Sequence, residues 1–233
     1  MKIIRLLLSI CIVFTSYSQA ITISKLENIP DHILGGMLLE VIYSRANIPL
    51  EFEILPAKRA LFESSEGRVD GELQRIYEIG EEYSTLVRVP TPFTYFEVVA
   101  YSKKHNFYVS GWSSLSGYGA IGRVRGLKYI DLGLKGMKGV YDVTGTNQLM
   151  KMLDSGRLDI AVTSGFNGAY NIHKLELNNI HRLHPVIERH QLYHYLHKKH
   201  IKLIPIIDEV IQSMKKSGEL ERLREQFSKK IMK

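Results

Sequence analysis

The sequence predicts an α/β protein built from two α/β lobes, with mostly parallel sheets joined by two crossing strands. One short unit occurs twice, as Gly67-Arg68-Val69-Asp70 and as Gly156-Arg157-Leu158-Asp159, each time after a helix-like run and before a short apolar run. Glycine just past the end of a helix readily adopts the left-handed conformation that closes it, so each copy indicates a helix, a glycine stop and a strand. Strand-like and helix-like segments also alternate along the chain, which is typical of α/β folds. Two similar lobes predict a cleft between them, where small molecules are usually held.

The first twenty residues have the layout of a secretory signal peptide. Lys2 and Arg5 form a positive start, Leu6 to Phe14 an apolar run, and Ser18-Gln19-Ala20 a small-residue cleavage site. The apolar run is too short to span a bilayer. We therefore expect cleavage after Ala20 and a mature protein in the periplasm.

Composition narrows the class of partner. Cys11 is the only cysteine, so the expected mature chain has none and depends on its hydrophobic core for stability. The formal net charge is +7, and it falls to +5 when Lys2 and Arg5 leave with the signal peptide. The lysines are scattered in pairs, which is typical of solvated helix ends. We expect a monomer that binds a small molecule, without nucleic acid, cofactor or metal.

The first predicted lobe comprises residues 21–95 and 190–233. Its segments follow a strand-helix-strand-helix-strand order, which predicts parallel strands with right-handed crossovers. The segments are the strands Ile21–Ser24, Leu50–Leu55 and Val69–Leu73, the helix Leu34–Ala46 and a helix that begins near Arg59.

The second predicted lobe comprises residues 96–189. A short strand, Leu86–Val89, ends at Pro90-Thr91-Pro92, and Phe96–Tyr101 then crosses into this lobe. The return crossing is Val186–Tyr195. The segments inside the lobe are the strands Gly119–Val124, Gly139–Tyr141 and Leu158–Thr163 and the helix Thr146–Leu153.

Two amphipathic helices end the chain, and their apolar stripes are expected in the core. The first stripe consists of Ile206, Ile207, Val210, Ile211 and Met214, and the second of Leu220, Leu223, Phe227 and Ile231.

The order of these segments resembles the bacterial extracellular solute-binding proteins of family 3. The two Gly-Arg-x-Asp units, the Pro90–Phe93 turn and the ending Met214–Leu220 carry the resemblance, which covers Ile21 to Phe227. It implies two lobes that close on an amino-acid-like or organic-acid ligand in a hinge motion, for an ABC transporter or a sensor. Typical members carry a carboxylate-clamping arginine beyond the first Gly-Arg-Val-Asp; Glu78 to Tyr83 offers none here.

Loops beyond the carboxyl ends of parallel strands are where such sheets meet ligands. Arg75, at the end of the third predicted strand, is the best candidate for an anion clamp, because an arginine fork holds a carboxylate with two hydrogen bonds. A surface or inter-helix salt bridge is the alternative. Glu72 is a candidate for a ligand ammonium group or the partner of a neighbouring cation. Arg59, one turn into its helix, is a further candidate for the cleft.

Further ligand candidates lie near the lobe junction and in the second lobe. Phe93 and Tyr95 follow the proline turn and would stack on a ligand or form a hydrophobic hinge contact. Arg125 shares a strand face with Arg123, and that face is either turned to the ligand or solvated. Ser164 follows the last strand of the second lobe.

Other motifs do not indicate a catalytic or metal site. Gly117–Gly122 matches G-x-G-x-x-G but precedes a strand instead of joining a strand to a helix. The histidines between His181 and His200 lack acidic or cysteine partners at a recognisable metal spacing. The leading hypothesis is therefore a non-catalytic solute-binding protein. The alternatives are a dehydratase-like or lyase-like enzyme using Glu72 or a cleft histidine, and a sensory or interaction domain without a solute.

Overall fold

The first lobe is formed by segments at both ends of the chain, in a computed structural model that describes residues 20–233. The expected signal peptide, apart from Ala20, lies outside these residues. The lobe comprises β1 (Ile21–Leu26), α1 (Pro30–Arg45), β2 (Leu50–Leu55), α2 (Ala57–Ser65), β3 (Gly71–Arg75), α3 (Ile79–Glu82) and β4 (Leu86–Arg88).

The second lobe follows, and the chain then returns to the first. These segments are β5 (Thr94–Ser102), β6 (Ile121–Val124), α4 (Lys128–Gly133), β7 (Val140–Val143), α5 (Thr146–Asp154), β8 (Ile160–Ser164), α6 (Gly165–Lys174), β9 (His181–Arg182), β10 (Glu188–His197), α7 (Ile204–Lys216) and α8 (Glu219–Ile231), with 3₁₀ turns at Trp112–Leu115 and Lys198–Leu203. No helix within residues 20–233 combines the length and apolarity needed to cross a bilayer.

The strands lie in the order β2-β1-β3-β10-β5-β8-β6-β7. Strand β1 runs parallel to β2 and β3, and β6 runs parallel to β7 and β8. The long strands β5 and β10 are antiparallel to each other and to their outer neighbours. Residues Glu188–Leu192 of β10 pair with β5, whereas Tyr193–His197 pair with β3 and β4. These two strands thus link two parallel half-sheets, as the sequence predicts.

Each half-sheet has its own hydrophobic core. In the first lobe, α1 and α7 bury Leu38, Ile42, Ile207 and Ile211 against the sheet. The predicted α7 stripe is wrong at Ile206, which is 45 % exposed, because the buried face continues through Ile204 instead. The second lobe has two clusters: Phe96, Val98, Ile121 and Ile160 belong to one, and Val99, Leu149, Met150 and Leu153 to the other.

The repeated unit performs the same structural task in both lobes. Gly67 and Gly156 follow α2 and α5 with φ values of 72° and 74°, a region that glycine occupies without strain. The Asp70 carboxylate accepts a hydrogen bond from the Thr22 amide at 2.8 Å. The Asp159 carboxylate likewise accepts one from the Ala120 amide, at 2.9 Å, just before β6. Each aspartate therefore holds the start of the central parallel strand of its half-sheet.

The boundaries of several elements differ from the prediction. Helix α1 begins at Pro30, four residues before the predicted Leu34, because proline fits the first turn of a helix. Strand β3 begins at Gly71, so that Arg75 is its last residue. Helix α6 was not predicted. Its glycines obscure the helical pattern, yet Gly168 allows close packing: a Cβ there would lie 2.3 Å from the Tyr101 ring.

Candidate functional site

A cavity of about 220 Å³, here called the junction cavity, lies where the two lobes meet. The starts of α1 and α6, strand β5 and helix α8 surround it. Two acids, two arginines, two phenylalanines and two serines contribute to its wall. The lining residues are Asp31, Phe96, Glu97, Ser164, Gly165, Phe166, Ala169, Arg182, Arg224 and Ser228.

Asp31 connects the lobes across this cavity. It lies in the first turn of α1, where the partial positive charge of the helix end favours an acidic side chain. Its carboxylate accepts a hydrogen bond from the Ser164 hydroxyl, with 2.5 Å between Oγ and Oδ2. Its amide donates to Asn167 Oδ1 at 3.1 Å. Ser164 precedes α6 and makes no side-chain cap hydrogen bond with that helix. The hydroxyl is thus used between the lobes and not within the second one.

Burial changes the protonation of Asp31. Because desolvation penalises the charged form, it raises the pKa of this carboxyl to about 6. The hydrogen bond from Ser164 and the positive charge of Arg224 act in the opposite direction but only partly offset the effect. The Asp31 carboxyl consequently takes up a proton at a higher pH than a carboxyl in water does.

The arginines of the cavity pair with groups from the crossing strand β5. Arg182 donates to Glu97 at 2.8 Å, and Arg189 donates to the same carboxylate at 2.5 Å. Partial burial raises the pKa of Glu97, but these two arginines reverse that effect and hold it below its usual value. Arg224 lies over the Tyr95 ring, 3.9 Å from its centre, and donates to the Tyr95 hydroxyl at 3.0 Å.

Both cavity arginines retain an unused donor. The Nε atoms of Arg182 and Arg224 are buried and have no hydrogen-bond partner within the described part of the chain. An unpaired buried donor is costly, but both atoms have almost no exposed surface, so a ligand would reach them only after the side chains move. By its charges, the cavity suits an anionic group beside the arginines and a cationic group beside Asp31 or Glu97.

Of the residues predicted from the sequence, Ser164 lines the cavity. Tyr95 does not line it but accepts a hydrogen bond from Arg224, which does. Arg75 and Glu72 do not line it. They form a salt bridge with 2.8 Å between Nη2 and Oε2, and Glu72 is only 1 % exposed. The Ser64 hydroxyl also donates to Glu72, at 2.9 Å. These contacts match the alternatives given for the two residues, a salt bridge for Arg75 and a neighbouring cation as the partner of Glu72.

The other predicted ligand residues also lie outside the junction cavity. The Arg59 side chain is 66 % exposed and lies 3.5 Å from Glu63, one helical turn away. Arg125 is exposed on the second lobe, 3.7 Å from Asp142. Phe93 is buried in the core of the first lobe. As ligand contacts, these residues stay predictions from the sequence.

Sequence reasoning missed Asp31, Glu97, Arg182 and Arg224. Only Arg224 carries a clear local signal, because it lies four residues after Leu220 on the apolar side of α8. A cation inside an apolar stripe indicates a buried polar contact. The others become neighbours only when α1, β5 and β9 assemble.

The histidines are engaged in separate contacts. His194 is fully buried: its Nε2 is hydrogen-bonded to the Tyr43 hydroxyl at 2.8 Å, and its Nδ1 to the Glu72 carbonyl at 2.9 Å. Burial lowers the pKa of His194 to about 4, so the ring is neutral. His190 contacts Glu188 at 2.9 Å and stacks on Phe96. Within residues 20–233, no three His, Cys, Asp or Glu side chains are grouped as metal ligands.

Comparison with known proteins extends these observations. No family model matches the chain. An uncharacterized protein of Shewanella oneidensis is 25 % identical over 207 residues, covering 84 % of this chain and 78 % of that protein.

Solved structures resemble the chain much more clearly in shape than in sequence. A histidine kinase sensor domain with similarity to periplasmic binding proteins has a TM-score of 0.71 at 17 % identity, covering 89 % of this chain and 95 % of its own. The GluR0 ligand-binding core in complex with L-glutamate has a TM-score of 0.75 at 10 % identity, covering 90 % and 98 %. An amino acid ABC transporter substrate-binding protein from Streptococcus pneumoniae, bound to L-arginine, has a TM-score of 0.65 at 17 % identity, covering 86 % and 85 %. The predicted fold class is thus confirmed: the chain has the two-lobed α/β fold of the periplasmic binding proteins.

Proposed function

We propose that this protein is an exported, non-catalytic binding protein that captures a small polar solute between its lobes. The junction cavity is the observation that carries the proposal. Asp31 and Arg224 reach it from the first lobe, and Ser164 and Arg182 from the second. A ligand that contacts both sides would favour the closed arrangement, since it would bind that arrangement more tightly than the open one.

The cavity supports a small ligand with an anionic group. Its volume of about 220 Å³ lies below the range typical of drug-sized ligands, roughly 300–1,000 Å³. The arginines match a carboxylate, and the two acids match an ammonium group. An amino-acid-like or organic-acid solute fits this combination, in agreement with the resemblance to the family 3 solute-binding proteins.

Membrane partners follow from the same proposal. Among the proteins of similar fold are an ABC transporter substrate-binding protein and a histidine kinase sensor domain. The predicted signal peptide would place this chain outside the cytoplasm. The closed, monomeric form would then be recognised by a transporter or a sensor protein in the membrane.

A sensory domain is the second candidate. The hydrogen bond that Asp31 accepts from Ser164 and the one that it donates to Asn167 link the two lobes directly, which favours a domain that signals by its conformation. An enzyme is less well supported. Glu72, the acid that the sequence made a candidate for acid–base catalysis, is enclosed and already bound by Ser64 and Arg75.

A thermal-shift screen of amino acids, organic acids, peptides and amines tests the proposal. A bound ligand at about 100 times its Kd adds about 2.7 kcal/mol, which raises Tm by about 5–10 °C for a chain of this size. Arg182→Ala and Arg224→Ala should each abolish the shift, whereas Arg59→Ala, at an exposed position, should preserve it. A screen without any shift, or a shift that survives both cavity substitutions, would contradict this site. Turnover of a bound compound, measured by mass spectrometry, would favour the enzyme.

A further inference from the structure

Asp31 joins the two lobes by contacts that need no ligand. Its carboxylate is held by Ser164 and its amide by Asn167, both in the second lobe. Its own carbonyl accepts a hydrogen bond from Gln74 Nε2 of the first lobe, at 3.1 Å. The carbonyl of Asp31 is thus bound to β3 of the first lobe, while its carboxylate and amide bind groups at the start of α6. Any movement that separates the lobes must break the bond to Ser164.

Several charged and titratable groups lie around the Asp31 carboxyl. Arg224 of α8 supplies a positive charge. Arg182 of β9 and Glu97 of β5 line the same cavity but pair with each other. His32, the next residue in α1, has its pKa lowered to about 3, mainly by burial and also by Arg75 and Lys25, so it is neutral.

Two tyrosines of the second lobe interact electrostatically with Asp31. Burial raises the pKa of Tyr101 in β5 to about 12, and the charge of Asp31 adds to this effect. Burial and the charge of Asp31 also raise the pKa of Tyr129 in α4. Both phenols are therefore protonated throughout the physiological range and do not compete with Asp31 for a proton.

We propose that Asp31 and Ser164 form a proton-controlled latch that holds the lobes closed in the absence of a solute. Opening would separate the carboxyl of Asp31 from the Ser164 hydroxyl and expose it further to water, while closing returns it to a partly buried site against that hydroxyl. A buried carboxyl is more stable in its neutral form than in its charged form. Uptake of a proton by Asp31 therefore accompanies closure, and loss of that proton favours opening.

The direction of the pH effect follows from linkage. The closed form binds the proton with a pKa of about 6, and the open form with the ordinary value of 3.8. The closed form gains stability wherever it binds more protons than the open form, which occurs as the pH falls through 6. The ratio of closed to open molecules should rise about tenfold from pH 8 to pH 5.

Single-molecule FRET on the solute-free protein tests the latch. Glu51 of β2 and Tyr141 of β7 are exposed residues on the two edge strands of the sheet. The expected mature chain has no cysteine, so dyes on Glu51→Cys and Tyr141→Cys report the lobe separation. The parent should show the tenfold change in its closed-to-open ratio. Asp31→Asn, which keeps the shape but does not titrate, should show no change between pH 8 and pH 5. Glu225→Gln, an exposed control on α8, should behave like the parent.

A second variant keeps the proposal testable if Asp31→Asn does not fold. Ser164→Ala retains the carboxyl but removes its partner, so the closed fraction should fall at both pH values. A pH-independent parent, an Asp31→Asn variant that responds like the parent, or an unchanged closed fraction in Ser164→Ala would each overturn the latch. Because no solute is present, these outcomes are independent of the ligand screen.

Discussion

Replacement of Arg75 by alanine would leave a buried carboxylate without its cation. Arg75 contacts Glu72 at 2.8 Å, and the exposed fractions of the two side chains are 14 % and 1 %. Removal of one partner from a buried ion pair costs about 3–5 kcal/mol, because the remaining charge stays desolvated. The hydrogen bond from Ser64 to Glu72 persists in the variant and places the expected loss near the lower end, about 3 kcal/mol.

Urea unfolding followed by far-UV circular dichroism measures this loss. The decisive comparison is a double-mutant cycle with Glu72→Gln, which removes the charge but retains a hydrogen-bonding side chain. The double variant should be more stable than Arg75→Ala alone, since no uncompensated charge is left. An Arg75→Ala variant that loses less than about 1 kcal/mol, or a double variant that is no more stable, would refute this reasoning. A thermal shift by solute that is lost only in Arg75→Ala would instead favour the clamp that the sequence predicts.

Two further outcomes are expected from the same unfolding assay. Asp159→Ala should cost about 1–3 kcal/mol, because the partly buried amide of Ala120 loses a charged acceptor. Lys104→Ala, which removes only an exposed ion pair of Asp159, should cost less than about 1 kcal/mol. Equal losses in the two variants would contradict the structural role of the aspartate. The neutral, buried His194 has a pKa of about 4 against 6.5 when unfolded, so stability should fall as the pH drops from 6.5 to 4, by on the order of 3 kcal/mol from this residue. His194→Gln should flatten that dependence, and an unchanged slope would show that the ring is accessible to protons in the folded state.

Local sequence signals predicted most of the secondary structure. The two glycine stops act through backbone conformation, which depends on neighbours in the chain, and Gly67 and Gly156 both have the expected positive φ. The apolar stripe of α8 likewise packs against the core through Leu220 and Leu223. Helix α6 escaped prediction because Gly168 weakens helical propensity and has its value in packing against Tyr101.

The candidate site was much less predictable. Ser164 was selected from its place after a strand, and it lines the junction cavity. Arg75 and Glu72 were selected by the same rule, yet they bind each other, because a strand end specifies a region but not the partner that neutralises a charge there. The roles of these residues toward a solute stay predictions.

The sequence by itself determined most of the order of strands and helices, the two-lobed plan and the repeated aspartates, since these depend on short-range periodicity, glycine conformation and duplication. Only the tertiary structure decided which charges meet between the lobes. Asp31, Glu97, Arg182 and Arg224 come from four separate elements, and their protonation and pairing depend on burial and on distances of a few ångströms. Such quantities arise from the packing of remote segments, so no local pattern in the chain encodes them.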